Sequence, residues 1–328
     1  MEYRDFGKTG LKVSAVGFGC GRVGGLLIAG SEADRRLAIR KALDGGINWF
    51  DTAESYGSEE ALGQLLEEVP EKPQVSTKIT VDPSLPHLAD QIEEHAEGCL
   101  KRLRRDFVHV FQVHNRIDDV AAGDRKSRSG ATALTTEQLL GKGGVAEGLE
   151  RLKAKGKARF IGFTALGDRG SILTAIDSGR FDSCQVYYNI VNPSAGRDMP
   201  PAWTGQNLGG ILAAAKRRGM GTLGIRVLDG GIIATAERDK PVSMMAKETD
   251  ERTESRKSEA ALKALGGGLG SRPQIGLRFA LSQPDLCLAL VGIGHPGHVD
   301  AALEAVGMGP LPAAALARLE PLYATDFK

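Results

Sequence analysis

The segment Gly45-Gly-Ile-Asn-Trp-Phe-Asp-Thr-Ala-Glu-Ser-Tyr-Gly57 holds a helix stop, a short strand and a polar loop in immediate succession. The paired glycines are typical of a helix C-terminus, and the apolar run at 47–50 predicts a strand. Asp51 ends that strand, and Tyr56 follows one short loop later. Upstream, Ser31 and Asp34 have the spacing of a capping box, which predicts the helix that the glycines close.

The same alternation of strand and helix extends in both directions from this segment. Long helices are predicted at 86–104 and 136–155. Apolar runs predict eight strands, at 13–18, 47–50, 74–77, 108–113, 159–163, 182–186, 222–225 and 288–291. Eight βα units favour an α/β fold of one closed parallel (β/α)8 barrel over residues 1–328, rather than an open sheet. Residues 3–6 and 11–13 predict a β-hairpin ahead of the barrel.

Composition excludes several classes of protein. The 328 residues carry 42 Lys+Arg and 41 Asp+Glu, so no net field attracts nucleic acid or an acidic membrane. No apolar run reaches the roughly 18 residues of a membrane span, and the N-terminus lacks the apolar core of a signal peptide. The four scattered cysteines fit a reduced, cytoplasmic protein. Two polar stretches, 118–135 and 237–259, are expected to be loop insertions, either mobile or forming solvated helices.

Four polar residues fall at the ends of three successive predicted strands. They are Asp51 and Tyr56 after the second strand, Lys78 ending the third, and His114 ending the fourth. Each has a structural explanation when taken singly: a cap, a loop aromatic or a core histidine. In an α/β barrel, however, strand C-termini meet at one mouth, which is where the chemistry of this fold takes place.

Together these four side chains can carry out proton transfer. An ammonium beside a phenol favours the phenolate, and a carboxylate holds that ammonium charged and aimed. The set would protonate a carbonyl oxygen as hydride arrives at carbon, or catalyse the reverse, while His114 orients the oxygen by a hydrogen bond.

The sequence resembles the aldo-keto reductase family. The resemblance is carried by residues 45–57, Ser76-Thr-Lys78, Val113-His114 and Gly156-Lys-Ala-Arg-Phe-Ile-Gly162, with the opening residues 3–19 similar as well. It implies a barrel that binds an extended nicotinamide cofactor, NAD(P)H. It also implies Tyr56 as general acid/base, Lys78 and Asp51 tuning it, and His114 orienting the substrate.

Two glycine-rich strings bear on cofactor binding. Gly19-Cys-Gly-Arg-Val-Gly24, with Asp44 downstream, has the glycine spacing of a Rossmann fingerprint. That fingerprint opens a helix directly, whereas the next helix in this chain is expected only near Ser31. The resemblance implies instead that this loop touches the cofactor or substrate at the barrel mouth, with Gly19, Cys20 and Gly21 as lining residues. The second string, Gly292-Ile-Gly-His-Pro-Gly297, opens a helix and fits a barrel phosphate site.

In the resembling family the second string grips the adenosine end of the cofactor. Members that prefer the 2′-phosphate present Lys or Arg where this chain has Gly292 and His298, so NAD becomes plausible and the choice between NAD and NADP stays open. A metal site at His295 and His298 is disfavoured, because no acid or cysteine supplements them. The residues that the resemblance assigns to the cofactor are Gly19, Cys20, Thr164, Gln185, Ile225, Arg226, Leu228, Gly292, Ile293, Gly294 and His298.

Within that set, Gln185 and Thr164 match the carboxamide partners, whereas the asparagine usual after Thr164 is Ala165 and the ring-stacking aromatic is Ile225. Ser55, Trp203 and the C-terminal residues 323–328 are candidate determinants of substrate choice, and Trp203 could equally be a packing anchor. Because it lacks a basic phosphate clamp, the sequence resembles the sugar (aldose) dehydrogenases of the family.

Two alternatives stay open at this stage. One is a Schiff-base aldolase with Lys78 as nucleophile. The other is a non-catalytic nicotinamide-binding sensor or subunit. Either would use the same barrel.

Overall fold

The chain begins with an antiparallel hairpin and then closes a barrel of eight parallel strands in the computed structural model, which describes residues 1–119, 133–237, 244 and 249–328. The hairpin strands are β1 (Tyr3–Asp5) and β2 (Lys12–Ser14). The barrel strands are β3 (Val16–Gly19), β4 (Trp49–Asp51), β5 (Gln74–Ile79), β6 (Val108–Val113), β7 (Ala158–Ala165), β8 (Ser183–Tyr187), β9 (Gly221–Ile225) and β10 (Leu288–Gly292). β10 pairs with both β3 and β9, which closes the barrel and confirms the predicted fold class.

Helices surround the barrel and cover its outer face. They are α1 (Leu26–Ala29), α2 (Glu32–Asp44), α3 (Glu59–Glu67), α4 (Leu88–Leu103), α5 (Thr136–Leu140), α6 (Val145–Ala154), α7 (Arg169–Asp177), α8 (Ile211–Arg217), α9 (Glu251–Leu265), α10 (Arg272–Leu281), α11 (Pro296–Met308), α12 (Ala313–Leu316) and α13 (Glu320–Ala324). Ser31 caps α2 as expected, its side chain accepting the Asp34 N–H. Within the described part of the chain, no helix has both the length and the apolar character needed to span a bilayer.

The single helix expected over 136–155 is wrong, because the chain forms α5 and α6 with a break between them. The break lies in Gly141-Lys-Gly-Gly144, where Gly143 has a positive φ of 72°. Glycine loses more backbone conformational entropy in a helix than any other residue, so a cluster of glycines favours a turn over continued helix. The helix expected to begin near Ser31 is α2, whereas the short α1, which begins directly after Gly25, was not expected.

The polar stretch 237–259 is only partly an insertion of the expected kind. Of it, 238–243 and 245–248 lie outside the described residues, as do 120–132 of the first stretch. Residues 251–259 form the first part of α9, and there Glu254, Lys257 and Ser258 are buried. The expectation of a solvated helix is therefore wrong for this face of α9.

The hairpin closes the N-terminal end of the barrel. Phe6 and Val13 join an apolar cluster inside the barrel with Trp49, Val110 and Leu288, and the rings of Phe6 and Trp49 lie 4.8 Å apart. The buried polar residues Asp51, Lys78 and Thr164 lie instead at or near the C-terminal ends of their strands. The fold thus has one apolar floor and one polar mouth.

Candidate active site

The four predicted side chains, Asp51, Tyr56, Lys78 and His114, meet at the polar mouth and are called the tetrad below. Asp51 ends β4, and Lys78 lies near the end of the neighbouring β5. His114 follows β6, and its backbone N–H donates to the carbonyl of Ile79. Tyr56 lies in a 3₁₀ turn, Glu54–Tyr56, directly after β4.

The Lys78 ammonium joins the carboxylate to the phenol. Its Nζ donates to Asp51 Oδ2 at 2.6 Å and to the carbonyl of Thr52 at 2.7 Å, and it lies 3.5 Å from the Tyr56 hydroxyl. Burial by itself would lower the pKa of Lys78, but the negative charge of Asp51 and its hydrogen bond outweigh burial and raise that pKa. Lys78 therefore stays charged throughout the physiological range.

The other carboxylate oxygen of Asp51 accepts two hydrogen bonds. Ser76 Oγ donates to Oδ1 at 2.6 Å, and Gln185 Nε2 donates to the same atom at 2.7 Å. Trp49 Nε1 in turn donates to Ser76 Oγ at 3.0 Å. Asp51 is thus held from both sides by donors, the arrangement that suits an ionised carboxylate.

His114 faces the phenol from the far side. Its ring and that of Tyr56 meet edge to face, with centroids 5.6 Å apart. Burial and the positive charge of Lys78 lower the pKa of His114 to about 3. The imidazole is therefore neutral at pH 7, when it presents one donor and one acceptor nitrogen and no positive charge.

The turn that bears Tyr56 is anchored from below. Thr52 Oγ1 and Ser58 Oγ share a hydrogen bond of 2.8 Å across the turn. Glu54, the first residue of the 3₁₀ turn, pairs with His95 Nδ1 on α4 at 2.8 Å, and the hydrogen bond to Glu54 raises the pKa of His95. These contacts fix the loop that sequence analysis left unrestrained.

The predicted carboxamide partners lie next to the tetrad. Thr164 and Gln185 are paired in register across β7 and β8, and both are buried. Because Asp51 accepts the Gln185 NH₂ group, the Gln185 amide oxygen is left to accept from a ligand. Thr164 Oγ1 is buried and has no partner among the described residues. An acceptor beside a hydroxyl suits a primary carboxamide, so these residues fit the nicotinamide end of the cofactor.

The first glycine-rich loop packs directly on the segment after β10. A Cβ added at Gly292 would lie 2.3 Å from the carbonyl oxygen of Val23, and one at Gly294 would lie 2.9 Å from that of Gly24. Ile293 is buried between them, and its N–H approaches the carbonyl of Gly19 at 3.4 Å. The two glycine strings thus form one continuous wall of backbone. Cys20 lies behind it with a buried thiol, whose pKa is raised by burial and by the charge of Asp51.

The remaining predicted cofactor residues lie at the ends of β9 and β10. Ile225 ends β9, and Arg226 follows it with a positive φ of 55°. Leu228 is only partly exposed and packs against the core. At the start of α11, His298 Nδ1 accepts the Gly294 N–H, and burial lowers the pKa of His298. Both burial and the lowered pKa favour the neutral form of His298.

Of the candidate substrate residues, Ser55 is exposed at the rim beside Tyr56, and its carbonyl accepts from Arg22. The Lys257 ammonium lies over the Trp203 ring, with Nζ 4.6 Å from the ring centroid. The ring centroids of Trp203 and Phe327 are 6.4 Å apart. Tyr323 is buried, with its hydroxyl donating to Ile190 O. Trp203 and Tyr323 thus anchor the C-terminal tail.

Sequence reasoning did not predict that Ser76 and Gln185 donate to Asp51, or that Trp49 donates to Ser76. One signal was available, since Ser76 precedes Lys78 by two residues and so shares its face of β5. Nothing in the sequence indicates the Trp49 indole as the partner of Ser76.

Comparisons with known proteins agree with this geometry. The family model described as "Aldo/keto reductase family" matches residues 15–324. The chain is 27% identical to L-galactose dehydrogenase of Arabidopsis thaliana, covering 93% of this chain and 88% of that protein. It is also 27% identical to 6-dehydroglucose reductase of Novosphingobium aromaticivorans over 42% of this chain and 53% of that one. An aldo-keto reductase of Bacillus halodurans in its holo form superimposes with a TM-score of 0.71 at 18% identity, covering 99% and 97% of the two chains.

The solved structure supports the fold alone at that identity, whereas the family model spans nearly the whole chain. Enzymes of this family act on carbonyl compounds and use NAD(P)H. The chain belongs to the aldo/keto reductase family.

Proposed function

We propose that this protein interconverts an alcohol and a carbonyl group, with Tyr56 as general acid and base and an aldose as substrate. The observation that carries the proposal is the line Asp51–Lys78–Tyr56, in which one buried ammonium lies 2.6 Å from a carboxylate oxygen and 3.5 Å from the phenol oxygen. An unliganded site commonly has longer hydrogen bonds than the reacting complex.

A nicotinamide cofactor held at this mouth would supply the hydride in reduction and accept it in oxidation. In the direction of reduction, Tyr56 gives its proton to the carbonyl oxygen as that oxygen gains charge. Lys78 stabilises the resulting phenolate, and Asp51 keeps Lys78 charged and in place. Neutral His114 orients the substrate oxygen by a hydrogen bond. In the direction of oxidation, the phenolate takes the proton from the alcohol.

The cofactor is held, in this proposal, at two ends. Gln185 and Thr164 would bind the carboxamide, and Ile225 would lie beside the ring. Gly19, Arg226 and Leu228 would line the middle of the groove, with the buried Cys20 directly behind them. Gly292, Ile293, Gly294 and His298 would hold the adenosine end. Gly292 and His298 lie where family members that prefer the 2′-phosphate present Lys or Arg, and on this ground we propose NAD rather than NADP.

An aldose is proposed because L-galactose dehydrogenase resembles this chain over 93% of its length, and 6-dehydroglucose reductase resembles part of it. Ser55 lies exposed at the rim, where it can contact such a substrate. Trp203 is proposed to shape the same opening through the C-terminal tail that it anchors.

The first experiment is a screen of the purified protein. Oxidation of L-galactose and other aldoses with NAD⁺ or NADP⁺ is measured beside reduction of small aldehydes with NADH or NADPH. We expect turnover of at least one aldose, faster with NAD⁺. Activity confined to simple aldehydes would remove the sugar assignment. Tight cofactor binding with no turnover would favour the non-catalytic alternative.

The second experiment tests the phenol. Tyr56→Phe is expected to lower kcat by roughly 10²- to 10⁴-fold, the usual contribution of general acid–base catalysis, with cofactor affinity unchanged. Tyr3→Phe is the matched control, since Tyr3 is exposed and its hydroxyl donates to Gly46 O in the region of the hairpin. Wild-type kcat in Tyr56→Phe would exclude Tyr56 as the proton donor.

A further inference from the structure

A chain of directed hydrogen bonds runs from the apolar floor of the barrel to the tetrad. Trp49 Nε1 donates to Ser76 Oγ at 3.0 Å, and Ser76 Oγ donates to Asp51 Oδ1 at 2.6 Å. An indole N–H can only donate. Because it occupies an acceptor position on Ser76, the single hydroxyl proton of Ser76 is left to point at Asp51.

This chain is shielded from water. Trp49 and Ser76 are fully buried, and Asp51 is 4% exposed. Solvent therefore does not replace a lost donor, and each bond to the carboxylate is stronger than it would be at a surface. The β4–β5 register places Asp51 beside Ser76 and Trp49 beside Gln74, so the whole arrangement follows from strand pairing.

The two oxygens of Asp51 have different tasks. Oδ2 accepts from Lys78, whereas Oδ1 accepts from Ser76 and Gln185. Two donors on Oδ1 prevent the carboxylate from rotating about its Cβ–Cγ bond. Rotation would carry Oδ2 away from Lys78 and so move the ammonium relative to the Tyr56 hydroxyl.

We propose that Ser76, oriented by Trp49, is a positioning residue that holds Asp51 so that Lys78 is aimed at Tyr56. The proposal rests on the proposed function of the tetrad. Ser76 touches neither substrate nor cofactor in this scheme and acts only through Asp51. Gln185 differs from Ser76, because its amide also faces the proposed carboxamide site.

Activity and binding separate these roles. Ser76→Ala is expected to lower kcat by about tenfold to a hundredfold, the range for losing a hydrogen bond to a charged group, with the NADH dissociation constant unchanged. Gln185→Met is expected to lower kcat and also to weaken NADH binding. Ser76→Thr restores the hydroxyl and is expected to recover most of the lost rate.

The matched control is Ser183→Ala. Ser183 is also a fully buried serine in a barrel strand, and its Oγ has no hydrogen-bond partner among the described residues. This variant is expected to keep wild-type kcat. Equal losses in Ser76→Ala and Ser183→Ala, or no recovery in Ser76→Thr, would overturn the positioning role.

A second measurement needs no turnover and separates this inference from the proposed function. The chain has 2 tryptophans, so its indole ¹⁵N–¹H spectrum contains two signals, which Trp203→Phe assigns. Ser76→Ala is expected to shift the Trp49 signal and leave that of Trp203 in place. An unmoved Trp49 signal refutes the hydrogen bond even if the wild type is fully active.

If Ser76→Ala does not fold, Ser76→Cys keeps the bulk of the side chain with a much weaker donor, and the same kinetic and spectroscopic outcomes apply. A wild type that turns over no substrate would defeat the proposed function, whereas the indole shift would still test the chain of hydrogen bonds.

Discussion

Replacing Lys78 by methionine tests the electrostatics of the mouth. Lys78 and Asp51 have side chains only 1% and 6% exposed, and their charged atoms are 2.6 Å apart. Removing one partner of such a pair strands the other charge, at a cost of about 3–5 kcal/mol in the free energy of unfolding. Ser76 and Gln185 still donate to Asp51 Oδ1, so we expect Lys78→Met to lie near the lower end, about 3 kcal/mol.

The second variant removes the stranded charge. Lys78→Met combined with Asp51→Asn leaves a neutral amide that still accepts from Ser76 and Gln185. We expect it to recover roughly 2 kcal/mol relative to Lys78→Met alone, because most of the penalty belongs to the unpaired carboxylate. The assay is urea unfolding followed by circular dichroism, with equal m-values required for the comparison.

A solvent-exposed pair provides the control. Lys155 Nζ lies 2.7 Å from Glu93, with side chains 55% and 24% exposed. Lys155→Met is expected to cost less than about 1 kcal/mol. If Lys78→Met is no more destabilising than Lys155→Met, or if the double variant recovers nothing, the buried ion pair is refuted. Both Lys78 variants are expected to be inactive, which separates stability from catalysis.

Two further predictions concern pH and the glycine wall. The pKa of His114 falls from 6.5 to about 3 in the folded protein, so between these values the unfolded chain binds a proton that the folded chain does not. As pH falls through this window, His114 therefore lowers the free energy of unfolding by up to about 1.4 kcal/mol per pH unit. His114→Gln should give a flatter dependence of the unfolding free energy on pH between pH 4.5 and 6.5. An equal slope in the variant and the wild type contradicts the lowered pKa. Gly292→Ala places a Cβ 2.3 Å from the carbonyl oxygen of Val23, so the wall must shift to relieve the overlap. Overpacking of this kind costs about 1–3 kcal/mol, and if that cost falls on the binding conformation, NADH binds roughly 5- to 150-fold more weakly in a fluorescence titration. Gly307→Ala, where a Cβ meets nothing within 4 Å, should bind NADH normally, and equal affinities for the two variants would show that the wall does not contact cofactor.

The fold was predictable because each strand and helix has a local signal. The capping residue Ser31 and the eight apolar runs depend on neighbours in sequence alone. The errors arose where the signal was not local. A helical pattern extends across 136–155, and only the backbone freedom of Gly141 to Gly144 decides that the chain turns there. The charged residues in 251–259 predict a solvated helix face. Lys257 is buried instead, and its Nζ donates to Oδ1 of the C-terminal Asp326 at 2.8 Å, a partner that the local sequence does not reveal.

The tetrad was predictable for a different reason. In a parallel barrel every strand ends at the same mouth, so polar residues at the C-terminal ends of neighbouring strands are expected to lie close together. The partners of Asp51 Oδ1 were not predictable from spacing. Gln185 lies 134 residues away along the chain, and its amide reaches Asp51 only because the barrel brings β8 opposite β4. Closure of the barrel, rather than any motif, creates that contact.

The hydrogen bonds of Lys78 bear on the alternative in which Lys78 is a Schiff-base nucleophile. That reaction requires a neutral amine, and lysines that perform it have a pKa lowered by desolvation or by neighbouring cations. Lys78 is equally desolvated, but Asp51 and the Thr52 carbonyl accept two of its three protons at 2.6 and 2.7 Å, and its pKa is raised. An amine held in this way has no free lone pair to attack a carbonyl. Borohydride should therefore trap no substrate on Lys78 in the wild type, whereas a stable adduct would show that the ammonium loses its proton despite Asp51 and would return the site to lyase chemistry.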